Sequence, residues 1–163
     1  MRIAQGILGF HIVTPITWRA DWAWGVALIV LTVVMHVTGL GLMNRGAVLV
    51  FPHLEHRRQT WVGFAMVMGT LSLLATSLHA LEASVWAASY WVLGALPDYK
   101  SAMLYSLNAL TSYGHESLIL ENRWRLMGAI EALNGWLLFG LTTAFLFGMM
   151  EKVWLLGGRK TGY

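Results

Sequence analysis

The chain has no cysteine, only three prolines and few charges, and these scarcities close off whole classes of protein. Without cysteine there is no disulfide, no thiolate nucleophile and no Cys-ligated metal. Charged residues make up 12% of the chain and hydrophobic residues 57%, whereas soluble domains carry about 25% and about 45–50%. So few polar side chains cannot cover a water-soluble core. The formal charge of +3 is small and its bearers sit at segment ends, which argues against a nucleic-acid footprint. No stretch repeats Arg or Lys at every third position, so an Arg-rich voltage sensor is not expected.

What the chain has instead is apolar length. A bilayer core of about 30 Å takes about 20 residues of helix. Trp24–Leu42, Trp61–Leu93 and Leu126–Leu156 each meet that requirement, so the expected fold is an all-α integral membrane protein with three transmembrane helices. Nine tryptophans suit the two membrane interfaces. Residues 1–21 are interrupted by His11, Pro15, Arg19 and Asp21. They form either a short interfacial helix or an unordered terminus, and no signal-peptide cleavage site is evident. The expected organisation is a first span over 22–44, a loop over 45–60, a second unit over 61–157 and a tail over 158–163. Arg45, Arg57 and Arg58, with Lys152, Arg159 and Lys160, place the first loop and the C-terminus in the cytoplasm and the N-terminus outside.

The segment between the second and third spans, Ala95–Arg125, carries most of the information. Leu96-Pro97-Asp98 marks a turn, with Pro97 suited to a first helical position and Asp98 to the positive end of a helix dipole. Ser101–Leu110 follows as a helix of about ten residues, too short to cross a bilayer. A short helix, a Gly-containing turn and a polar return between two spans describe a re-entrant loop, whose irregular backbone must be buried in protein or line water. Periodicity alone leaves a loop lying on the outer surface equally open.

Tyr105–Met149 resembles the pore region of the potassium-channel superfamily, in particular small bacterial channel-like proteins with an added first helix. Ser106–Ser117 reads SLNALTSYGHES, where that family has a pore helix running into a T-x-x-G-Y-G-D type filter. Thr111 and Ser112 match the Thr pair, and Gly114 matches the first Gly. Trp124-Arg125-Leu126 and the run Glu131–Ala144, with Gly135 at the position of the hinge glycine, are similar to the inner pore-lining helix. A second register pairs Tyr113-Gly114 with the Tyr-Gly step, Ser112 with the first Gly and Leu110 with the inner Thr. The first register is preferred because it keeps the flanks nearly free of gaps.

The resemblance implies a bacterial inner-membrane homotetramer in which each chain contributes one pore loop. The expected activity is passive conduction of cations, potassium and sodium or a divalent ion such as calcium, with no cofactor, no enzymatic activity and no dedicated metal ligand. Thr111, Ser112, Tyr113, Gly114, His115 and Glu116 would form the selectivity filter, with Gly135, Gly140, Thr142 and Thr143 as hinge and pore lining. His115 stands where the family has Tyr, and Glu116 where it has the second Gly. That Gly matters, because a filter turns rings of backbone carbonyls toward the ion through left-handed angles that cost other residues about 1–2 kcal/mol. Glu116 would add an acidic ring at the outer mouth, and His115 four imidazoles titrating near neutral pH. The expected pore is therefore weakly potassium-selective. A further reading places His115 and Glu116 on the exterior, touching no ion.

Other polar positions have two readings each. Gly135 and Gly140 serve a hinge or close helix packing. Glu131 and Asn134 share one helix face, and Glu131 is expected to brace the short helix or the rear of the filter. His79 and Glu82, at i and i+3, are expected to pair by hydrogen bonding, since the order of a Glu-x-x-His metal motif is reversed. His36 is expected to make an isolated polar contact. Two rival functions remain: a non-conducting channel-like subunit or sensor, and a membrane enzyme holding a metal among His36, His79, Glu82 and Glu131.

Overall fold

A computed structural model describes residues 15–50, 61–114 and 118–158. Among these the chain is entirely helical. Helix α1 spans Pro15–Val50, α2 Trp61–Val92, α3 Tyr99–Thr111 and α4 Arg125–Gly158, with a 3₁₀ turn at Asn122–Trp124 leading into α4. Three of the helices are long and apolar enough to cross a membrane. α1 runs past the expected span at both ends, taking in 15–21 and 45–50, because its apolar character continues from Arg19 to Leu49 with only Asn44, Arg45 and Gly46 interrupting the last turns.

α3 is thirteen residues long, about 20 Å at 1.5 Å per residue, and packs against both α2 and α4. Its first residue, Tyr99, lies two residues beyond the expected first position at Pro97. Asp98 is the N-cap: Oδ1 accepts the Ser101 N–H at 2.9 Å and Oδ2 the Ser101 hydroxyl at 2.7 Å. These bonds satisfy an N–H that the first turn leaves without a partner, and Pro97 precedes the cap.

The buried apolar residues fall into two clusters. One gathers Leu28, Trp86, Tyr90, Tyr105, Trp124, Met127 and Ile130 around α3. The other joins Leu71, Met149 and Val153 with Met43 and Phe64 at the opposite end. Long stretches of all three spanning helices stay exposed, including Val30 and Val34, Leu73 and Leu81, and Leu133, Trp136 and Phe147. A helix apolar on every side demands an apolar surrounding, which a bilayer supplies.

Candidate functional site

Polar groups in the helical core are arranged at three levels, and each level ties different helices together. The first lies behind α3. Glu131, on α4 and fully buried, accepts a hydrogen bond from the Tyr90 hydroxyl at 2.7 Å and is in close contact with the hydroxyl of Ser106 on α3. The Ser106 hydroxyl also lies 2.8 Å from the Ala83 carbonyl oxygen, so one carboxylate and one serine link α2, α3 and α4.

Two glycines of α4 make that approach possible. A Cβ at Gly135 would stand 2.8 Å from Leu110 Cα, and one at Gly128 would stand 3.2 Å from Tyr105 Cζ. The two positions are seven residues apart, two helical turns on one face, and form a groove that receives the back of α3. Gly135 lies inside a continuous helix, and close packing is the role that its surroundings display. Gly140 has open space where a side chain would be.

α3 ends in a left-handed turn. Ser112 has φ 54° and Gly114 φ 98°, with the Ser112 N–H bonded to Ala109 O and the Tyr113 N–H to Asn108 O, both at 3.0 Å. Trp136 of α4 donates its indole N–H to the Ser112 hydroxyl at 2.8 Å, fixing the turn against the neighbouring helix. Thr111 is the last helical residue, its hydroxyl bonded to Leu107 O at 2.7 Å, and Tyr113 is 86% exposed. His115, Glu116 and Ser117 lie outside the described residues.

The second level joins α1 to α4. Asn134 donates through Nδ2 to the Thr32 hydroxyl at 2.9 Å, and Thr32 donates to the Leu28 carbonyl at 2.8 Å. Asn134 thus supports α1 rather than the short helix. Its Oδ1 has no partner among the described residues.

The third level is a ring of four side chains close to mid-length of the three spanning helices. His36 Nδ1 lies 2.8 Å from Glu82 Oε1, and His79 Nδ1 lies 3.2 Å from Glu82 Oε2. On the far side of the imidazoles, Thr142 Oγ1 lies 3.1 Å from His36 Nε2 and 3.0 Å from His79 Nε2. His36 and Glu82 are fully buried, and the His79 side chain is 14% exposed. Phe139 stacks on the outer face of His79, ring centroids 4.4 Å apart. Thr142 therefore turns inward to the histidines, whereas the adjacent Thr143 is exposed with its hydroxyl on Phe139 O at 2.8 Å.

The structure thus brings His36 to His79 and Glu82, a contact across 46 residues that no local spacing announces. It also adds Thr142, Trp136 and a buried Asp21 to the polar set. The pairing of Trp136 with Ser112 has no sequence signal, since tryptophan in a span reads as an interface marker. Comparison of the chain with family models, with curated proteins and with solved structures gives no match.

Proposed function

We propose that the chain forms a passive cation channel resembling potassium channels, in which four copies surround α4. In this reading α3 is the pore helix and residues 111–116 the altered filter. One observation carries it: a short, capped helix is anchored from behind by Glu131 and the Gly128–Gly135 groove, and it ends in two left-handed residues. A filter needs its carbonyls held by rigid support from the rear. Left-handed angles two residues apart, at Ser112 and Gly114, suit the alternating backbone of such a segment. One chain supplies one such loop, and a pore needs several around an axis.

On this reading Gly140 and Thr143, on the exposed side of α4, line the conduction path, while Thr142 braces the helix from inside. Glu116 supplies an acidic ring that draws cations to the outer mouth. The protein lies in a bacterial inner membrane with its C-terminus in the cytoplasm, and the cations themselves are the only small-molecule partners. The test is flux into liposomes from purified protein whose mass by native mass spectrometry corresponds to four chains. Comparable potassium and sodium flux, altered by Glu116→Gln, supports the reading. A well-folded tetramer that passes neither ion identifies a non-conducting subunit instead.

A further inference from the structure

The His36–Glu82–His79–Thr142 ring leaves one buried oxygen short of a donor. Three of its contacts are hydrogen bonds, at 2.8, 3.1 and 3.0 Å, and they take up the three protons that a carboxylate, two neutral imidazoles and one hydroxyl supply. Glu82 Oε2, fully buried, receives no aligned hydrogen bond among the described residues, despite lying 3.2 Å from His79 Nδ1.

We propose that His36, His79 and Glu82 bind one divalent transition-metal cation of the zinc class. The three offer one ligand atom each, all within 4.8 Å of one another. At metal–ligand distances of about 2.0–2.1 Å, tetrahedral ligand atoms lie about 3.3 Å apart, close to the 2.8 and 3.2 Å that already separate the two Nδ1 atoms from the carboxylate. Two imidazoles and a carboxylate are a donor set that such metals accept.

The cation also gives the unpaired Glu82 oxygen a partner. Each imidazole turns its Nδ1 lone pair to the metal and carries its proton on Nε2. Both Nε2–H groups then donate to the two lone pairs of the Thr142 oxygen, and Glu82 binds the metal in place of the missing donor. Thr142 becomes the shared outer partner that sets both ring tautomers, the role such partners play around bound metals. Sequence spacing hides the site because His79 and Glu82 share α2 while His36 comes from α1. Bound metal would staple α1 to α2, with Thr142 carrying the link on to α4. This inference is independent of whether the chain conducts.

The test uses full-length protein in detergent, stripped with chelator and then exposed to zinc chloride alone. Elemental analysis after gel filtration is expected to find one zinc per chain in the wild type and less than a tenth of that in Glu82→Gln. Cobalt(II) added to the stripped wild type is expected to give visible absorption bands that saturate at one equivalent, a readout that requires no folded variant. Thr142→Val keeps every ligand and is expected to weaken zinc about 10–100-fold. A helical, monodisperse wild type with no zinc and no cobalt bands would overturn the proposal and leave an extra ring proton as the means of completing the contacts. Unchanged zinc affinity in Glu82→Gln would overturn it equally.

Discussion

The Glu131 brace and the His36–Glu82–His79–Thr142 ring are both buried polar clusters in an apolar bundle, yet they solve different problems. In the brace both oxygens of the carboxyl group have partners, the Tyr90 and Ser106 hydroxyls. It holds a short helix in place from the rear, among elements adjacent in the chain. In the ring one carboxylate oxygen, Glu82 Oε2, has no hydrogen bond among the described residues, and the partners come from α1, α2 and α4. A satisfied network rigidifies, whereas an unsatisfied one in a low-dielectric interior is costly enough to mark a binding function. The brace is therefore architecture, and the ring is where the proposed cation would bind.

Breaking the brace should have the largest effect. Glu131→Ala leaves the buried Tyr90 hydroxyl without its acceptor, costing about 1–3 kcal/mol, and leaves Ser106 the Ala83 carbonyl alone. A loss of about 3 kcal/mol is expected in thermal unfolding in detergent. Asn134→Ala, which removes one interhelical bond to Thr32, should cost about 0.6–1.7 kcal/mol, the range for such bonds in membrane proteins. Equal losses for the two would erase the distinction between a three-helix brace and a single contact.

Next comes the glycine groove. Gly135→Val forces side-chain atoms onto the Leu110 backbone, with an expected cost of about 1–3 kcal/mol from overpacking. Gly140→Ala should stay within about 0.5 kcal/mol, because nothing stands within 4 Å of its added carbon. If Gly140→Ala destabilised the fold as much, the seating of α3 would not be the reason for glycine at 135. Trp136→Phe deletes the bond to Ser112 and is expected to cost roughly 0.5–1.5 kcal/mol, with a larger change in ion flux than in unfolding temperature.

The smallest effect is expected at the α3 cap. The backbone N–H of Ser101, helped by its hydroxyl, holds the Asp98 carboxyl below the ordinary aspartate range. Such a depressed group stabilises fully above its unfolded value of about 3.9 and loses that contribution as pH falls through the lower folded value. Asp98→Asn should flatten the acid limb of the unfolding temperature and lower it slightly at neutral pH, where the carboxylate contributes in full.

Sequence and structure agree where the signal is local. Apolar length marks the three spanning helices, and Ser101–Leu110 reads as a short helix, which the structure extends to Tyr99–Thr111 with Asp98 as its cap. Glu131 and Asn134, one turn apart, read as facing the interior because charge and amide in an apolar span have nowhere else to go. The long-range pairings entered only through the rival reading that grouped His36, His79, Glu82 and Glu131 around a metal. α1 is apolar on nearly every side, so no face of it announces that His36 meets Glu82 or that Thr32 meets Asn134. Thr142 and Thr143 are identical in type, and only packing decides that one turns to the histidines and the other outward. Gly135 and Gly140 likewise look equivalent until the Leu110 backbone lies against one of them.

The central claim is that four α3 turns form one conducting filter, and single-channel recording in planar bilayers tests it most directly. The account predicts discrete current steps with a reversal potential showing little preference between potassium and sodium, and a changed conductance in Glu116→Gln. Silent bilayers from protein shown to be tetrameric would contradict it, as would strong potassium selectivity.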